Sequence, residues 1–308
     1  MTIEKIVIGT RGSKLALWQT NWVRDRIRTF YPDMEVEVRI ISTKGDRVLN
    51  VSLPKLGEES KGLFTKELEE AMLDRQIDLA VHSLKDLPTE LPPGLHIGAI
   101  SEREDVRDAL VARGGITSFD DIPEGARVGT SSLRRQAQIL AARRDLILDP
   151  VRGNVDTRLG KVDSGEYDAI ILASAGLRRL GLEGRITQYI PREFMLPAVG
   201  QGALAIETRS DDSAINEVVG KLDHEPTRQA CRSERALLKG LGGGCLVPIA
   251  ALGIIEGDRL SLKGLVARAD GSEIVRGEAE GPRGEAEVIG LRLAEDLLER
   301  GAGRVLNR

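Results

Sequence analysis

Short apolar runs, each followed by a turn of small or hydroxyl residues with a cation close by, recur four times in the first two thirds of the chain. The first is Ile6-Val7-Ile8, then Gly9-Thr10-Arg11-Gly12-Ser13-Lys14, with Leu15, Trp18 and Val23 spaced for a helix. The second is Leu79-Ala80-Val81 before His82-Ser83-Leu84-Lys85-Asp86, where Pro88 stops any helix. The third, Ala126-Arg127-Val128, leads through Gly129-Thr130-Ser131-Ser132 to Leu133, Ala137, Leu140 and Ala141 at helical spacing. The fourth is Ile170-Ile171-Leu172, then Ala173-Ser174-Ala175-Gly176 and Arg178-Arg179. Apolar runs alternating with helices predict βαβ units and mostly parallel sheets, an α/β fold.

Ligands of such sheets sit beyond the carboxyl ends of the strands. A Ser or Thr there can cap the next helix and leave N–H groups that attract anions, and arginines add planar donors for carboxylate or phosphate. Any one turn can be read as a plain cap with a solvated arginine. Four turns sharing the pattern point to an anion-binding cleft.

Val36, Val38 and Ile40 alternate like a strand with one face buried, and Leu63 to Leu73 predicts a helix with Phe64, Leu68, Ala71 and Met72 on one face. The polar stretch Ser101-Glu102-Arg103-Glu104-Asp105 reads as a hinge, and Pro197 to Gly202 as a second crossing. Ala203 to Glu207 is then expected to return as a strand to the first unit. These breaks predict a first domain over 1–101 with a return segment 198–220, and a second over 105–195. A small α+β domain over 222–308 completes the chain. In it, Leu246 to Gly281 reads as a strand meander with turns at Gly257-Asp258 and Asp270-Gly271. A helix follows, with Val288, Leu291 and Leu298 among its apolar positions.

Composition narrows the function. With 308 residues, two or three domains are expected. Aromatics at 3% are too few for base-stacking platforms, and the net charge of −4 disfavours a polyanion-binding face. No nucleic-acid partner is expected, and no metal site. No long apolar stretch follows Met1, and no segment is long enough to span a membrane, so a cytoplasmic location is expected.

Two cysteines do not make a disulfide framework. Cys231 falls in a helical, arginine-flanked segment and reads as structural. Cys245 ends the run Gly242-Gly243-Gly244. Those glycines leave the sulfur reachable as a nucleophile or covalent anchor, whereas the alternative is a small buried residue opening the strand Leu246 to Ile249.

Seven strings occur in an order that identifies a family. They are Arg11-Gly12-Ser13-Lys14-Leu15-Ala16, Lys61-Gly62-Leu63-Phe64, His82-Ser83-Leu84-Lys85-Asp86-Leu87-Pro88, Gly129 to Gln136, Arg152 to Leu159, Pro197 to Gly202 and Gly243-Gly244-Cys245. Over essentially its full length the chain resembles the porphobilinogen deaminases, or hydroxymethylbilane synthases. It departs from the family with Glu59-Ser60 in place of the usual Gly-Gly, and with Lys239-Gly240-Leu241-Gly242 before the cysteine loop.

The resemblance implies two doubly wound domains like those of type II periplasmic binding proteins, plus a third that carries the cofactor. It implies that Cys245 holds a dipyrromethane through a thioether, onto which four porphobilinogens are condensed with loss of ammonia before hydrolytic release. Each pyrrole bears an acetate and a propionate, and guanidinium groups suit them. Arg11, Gln19, Arg152, Arg158 and Arg179 are then substrate-binding. Ser13, Lys85, Asp86, Thr130, Ser132, Arg134, Arg135 and Gly153 join Cys245 in holding the cofactor. Arg134 and Arg135 are expected to serve the polyanion rather than the fold, so leucine at either would leave the thermal midpoint nearly unchanged. Asp86 matches the family's catalytic carboxylate, which steadies the pyrrole cation left by departing ammonia; taken alone, it reads equally as a cap before Pro88. His82 carries no assigned acid–base role. The chain is expected to act as a monomer on a small-molecule substrate.

Overall fold

The computed structural model describes residues 3–44, 65–243 and 247–306. Cys245 with Gly244 and Leu246, the Lys61 to Phe64 string, and Glu59-Ser60 lie outside the described residues. The chain divides into two compact units, Met1–Arg103 with Ala203–Arg228, and Glu104–Gly202 with Gln229–Arg308.

The first unit opens with β1 (Lys5–Thr10), α1 (Lys14–Phe30) and β2 (Glu35–Ile40), followed by α2 (Lys66–Leu73), β3 (Leu79–Ser83) and β4 (Leu95–Ile100). The returning strand, β10 in chain order (Leu204–Arg209), completes a five-stranded sheet of order β2-β1-β3-β10-β4, and α6 (Ser213–Gly220) follows it. β1 is parallel to β2 and β3, while β10 is antiparallel to β3 and β4. Alternation along β1 sends Ile6 and Ile8 into a core with Val23 and Ile27 of α1, and Val7 to the opposite face with Leu68, Ala71 and Met72 of α2. The apolar run is therefore buried on both faces, as a central parallel strand requires. β2 differs from its expected pattern. Val36 is buried, but Val38 is only partly so and Ile40 is 60% exposed. As the sheet's edge strand, β2 runs past the buried cluster at its far end.

The second unit repeats the plan. β5 (Asp108–Ala112), β6 (Arg127–Gly129), α3 (Leu133–Ala142), β7 (Ile147–Asp149), α4 (Val155–Asp163), β8 (Ala169–Ala173), α5 (Ser174–Arg179) and β9 (Gln188–Tyr189) form a sheet of order β7-β6-β8-β5-β9. Again four strands run one way and one interior strand, β5, runs against its neighbours. Ile171 packs with Ile139 of α3, whereas Ile170 and Leu172 pack with Leu159 and Val162 of α4.

In the same unit β11 (Ile249–Glu256), β12 (Arg259–Ala267) and β13 (Ile274–Pro282) form an antiparallel meander. Helix α7 (Glu225–Gly240) leads toward it, and α8 (Ala286–Glu299) covers it, followed by the short α9 (Ala302–Val305). The two-residue turn Gly257-Asp258 joins β11 to β12 as expected. Of the apolar positions of α8, Val288, Leu291 and Leu298 are exposed, and Ile289, Leu293 and Leu297 fill the core with Leu237, Leu260 and Leu262. Helical periodicity fixes that a stripe exists, but with apolar residues on both sides of α8 the meander decides which stripe is covered.

The β12–β13 turn presses on α3. Gly271 has φ +69°, and a Cβ there would stand 2.6 Å from the Ala141 nitrogen and 2.7 Å from the Ala137 oxygen. No side chain fits against that backbone. Gly271→Ala is expected to cost about 1–3 kcal/mol, read as a lower urea midpoint at unchanged m-value.

Candidate active site

In the first unit the turns after β1 and β3 share one cleft, lined by Arg11, Ser13, Gln19, His82, Ser83 and Asp86 among others. Ser13 is the N-cap of α1, and its hydroxyl accepts the Ala16 N–H at 3.2 Å. Buried Gln19 donates from Nε2 to Ser83 Oγ at 2.9 Å, tying α1 to the end of β3. After Ser83 the chain makes one 3-10 turn, Leu84–Asp86, anchored by buried Leu84 and Leu87. Lys85 is half-buried and Asp86 exposed, so the carboxylate stands on a pinned turn at the cleft.

His82 is buried, with Nε2 2.9 Å from an oxygen of fully buried Glu207 on β10, at angles too bent for a hydrogen bond. Burial pushes the nearby Glu69 carboxyl up, with the Thr65 hydroxyl opposing and the Glu207 charge reinforcing that shift. His82 thus sits beside two buried acidic side chains, Glu207 and Glu69, that its sequence context did not reveal.

In the second unit, the turns after β6, β7 and β8 carry the remaining predicted residues. Thr130 is buried, and its hydroxyl accepts the Ser132 N–H at 3.2 Å. Ser132 is the N-cap of α3 but makes no side-chain cap bond. Gly153 takes φ +104°, and its carbonyl accepts from Arg158 Nε at 2.8 Å; Arg152 beside it is half-buried. Arg179 is buried, donating to the Gly202 carbonyl at 2.6 Å. Burial pushes its guanidinium down to about 10, against the opposing charge of Glu104.

Arg134 and Arg135 both pair with Asp108, which is fully buried at the start of β5. Arg134 Nη1 reaches Asp108 Oδ2 at 2.8 Å and the Leu196 carbonyl at 2.7 Å. Arg135 grips Oδ1 through Nε at 3.1 Å and Nη2 at 2.7 Å, and its Nη1 meets the Ile171 carbonyl at 2.9 Å. Gln201 adds a donor to Oδ1 at 2.9 Å. Burial alone would push the Asp108 carboxyl up, but the two guanidinium charges outweigh it and hold it far below the usual range. The expectation that these arginines are irrelevant to the fold is corrected here. With one partner gone, a buried carboxylate loses half of its compensation.

Sequence reasoning missed Asp108, Glu207 and Gln201 as partners of the predicted residues. Asp108 left one trace: an acid opening the apolar run Ala109-Leu110-Val111, where strand pairing to Ala173 sets it at the carboxyl end of β8.

Parallel strands ending in capped, arginine-rich turns define a class of α/β proteins built to hold small organic anions at their strand ends. Two family models specify it further. One described as "Porphobilinogen deaminase, dipyromethane cofactor binding domain" matches residues 6–217, and "Porphobilinogen deaminase, C-terminal domain" matches 228–299. The porphobilinogen deaminase of Pelotomaculum thermopropionicum is 54% identical over 305 residues, covering 99% of this chain and 97% of that protein. The one from Desulforudis audaxviator is 55% identical over 305 residues, covering 99% and 98%. The chain belongs to the porphobilinogen deaminase family. Among solved structures, the methionine-binding protein MetQ overlaps 74% of this chain and 91% of its own at a TM-score of 0.44 and 12% identity.

Arg134→Leu is expected to lower stability by about 3 kcal/mol, at the low end for a broken buried pair because Arg135 and Gln201 still hold Asp108. Urea unfolding reads it. Asp108 also predicts a pH dependence. Its folded carboxyl is depressed, so the unfolded chain takes up the proton first, near the ordinary value of about 3.9. The stabilisation is complete above about pH 5 and is lost as pH falls below about 4. Asp108→Asn should be less stable at neutral pH and flatter in that acid window; an unchanged acid slope overturns the assignment.

Proposed function

We propose that this chain is a hydroxymethylbilane synthase, a transferase that condenses four porphobilinogens head to tail with loss of ammonia and releases the linear tetrapyrrole by hydrolysis. The observation that carries this reading is Asp86, an exposed carboxylate on a pinned turn sharing its cleft with Arg11, Ser13 and Gln19. The dipyrromethane expected on Cys245, joined by a thioether, supplies the pyrrole carbon to which new units are attached. The described residues fit such a group: Arg134 Nε is buried without a hydrogen-bond partner among them, and Ser132 does not spend its hydroxyl on its own helix.

Roles follow from residue chemistry. Arg134 and Arg135, with Ser13, Lys85, Thr130, Ser132 and the Gly153 backbone, hold cofactor carboxylates. Arg11, Gln19, Arg152, Arg158 and Arg179 hold those of porphobilinogen, the permanently charged fork giving two parallel bonds per carboxylate. Asp86 faces the pyrrole N–H and stabilises the positive charge that grows on the ring as ammonia leaves. We also read three domains, over 1–101 with 198–220, 105–195 and 222–308, acting as a cytoplasmic monomer. Among the described residues no helix is long and apolar enough to cross a membrane.

Intact mass tests the cofactor. Denatured protein should exceed its sequence mass by two porphobilinogens less two ammonias, with the excess on the Cys245 peptide. Cys231, buried in α7, should stay a free thiol. An adduct on Cys231, or full activity without one, overturns the reading.

Asp86→Asn keeps the shape and loses the charge, so cofactor loading should survive while kcat falls about 10²–10³-fold. Asp86→Glu should retain a measurable fraction of turnover. Equal activity of the two variants removes the electrostatic role.

A further inference from the structure

Glu234 stands on α7, the helix that leads to the Cys245 loop, and its side chain is fully buried. Its two oxygens point in different directions. Oε1 accepts the Gly253 N–H of β11 at 2.8 Å, and Oε2 accepts the Gly200 N–H at 2.7 Å. One carboxylate therefore joins the α7–β11 layer to the segment Gly200–Gly202. A second bond, Ala251 N–H to the Pro197 carbonyl at 3.2 Å, and the packing of Val199 on the C-terminal core hold the start of that segment.

Gly200–Gly202 is also where the buried cations of the unit are fastened. Gln201 is fully buried and donates from Nε2 to Asp108 Oδ1 at 2.9 Å and to the Val106 carbonyl at 2.8 Å. Asp108 is the shared counter-ion of Arg134 and Arg135. The next residue, Gly202, offers the carbonyl to which Arg179 donates at 2.6 Å. A continuous path of short bonds thus runs from Glu234 through three consecutive residues to three arginines.

Packing alone does not call for a carboxylate at 234. Two N–H groups could be satisfied by water or by neutral acceptors, and a buried charge is costly unless its geometry is good. What the carboxylate adds is two equivalent acceptors on one rigid group, which fixes the distance between β11 and Gly200. A Gln side chain cannot do this, because its amide presents one acceptor and one donor.

We propose that Glu234 is a positioning residue for the reaction: it sets the Gly200–Gly202 segment and, through it, the guanidinium groups of Arg134, Arg135 and Arg179. The proposal rests on the reading that these arginines serve cofactor and substrate carboxylates. Glu234 acts through the segment it holds.

The test uses purified Glu234→Gln holoprotein. Three quantities are measured: the mass of the Cys245 adduct, the KM and kcat for porphobilinogen, and the distribution of protein carrying one, two or three further pyrroles. The adduct should still form, KM should rise about tenfold or more with a smaller change in kcat, and species with one or two added pyrroles should accumulate. Leu297→Ala weakens the same C-terminal core by another route; it should lower the urea midpoint and leave KM unchanged.

Should Glu234→Gln not fold, Gln201→Met decides. It removes the Nε2 bonds to Asp108 and Val106 and should give the same KM rise. Where both variants fold, their combination should raise KM no further than either alone, because they cut one path. A folded, loaded Glu234→Gln or Gln201→Met with wild-type KM and species distribution overturns the proposal. If wild-type protein itself carries no adduct on Cys245, the underlying reading fails instead.

Discussion

A carboxylate with no exposed surface has to be neutralised where it stands, and the second unit is organised around one. Asp108 opens β5, the strand that runs against its neighbours, so its side chain reaches the edge where the parallel strands end. Two guanidinium groups from the first turn of α3 meet it there, and each also takes a backbone carbonyl, Leu196 or Ile171. One ion cluster thereby fastens a helix start, two strands and the segment before β10. Arginine suits this task where lysine would not, since its planar fork serves the carboxylate and a carbonyl at once. The cluster leaves Arg134 Nε buried and without a hydrogen-bond partner among the described residues.

The two sheets solve one problem in the same way. Each sets one reversed strand among four that run the other way, and in each the turns with small and hydroxyl residues follow strands among those four. Helix N-termini then concentrate N–H groups at that edge. The first unit spends this on a cleft with an exposed carboxylate, Asp86, and the second on arginines that are largely committed. The division is chemical as well as geometric: an exposed carboxylate stands past the strand ends of the first sheet, and buried arginines stand past those of the second.

Buried charge recurs as a means of joining layers. Glu234 spans β11 and Gly200, and Arg209 bonds the Met72 and Ile77 carbonyls together with Asp78 and Asp212. Such groups cost desolvation and return geometric definition, which is what a site must have if it is to hold a succession of similar polyanionic species.

Local pattern determined much of this protein. The apolar runs, the turns after them and the meander with its Gly257-Asp258 turn are legible because strand and helix periodicities depend on neighbours a few residues away. Ser13 as a cap and Asp86 on a single turn stopped by Pro88 are local in the same sense, and the ordered motifs carried the family. Tertiary structure decided what depends on residues far apart in sequence. Arg134 and Arg135 read as exposed donors until Asp108, 26 and 27 positions away, takes them into the core. His82 read as an isolated strand-end histidine until β10 brought Glu207 beside it. On α8, Leu293 rather than Leu291 is covered because a sheet built from other residues selects the face. Burial and ion pairing are properties of places in the fold, and one stretch of sequence carries only half of each pair.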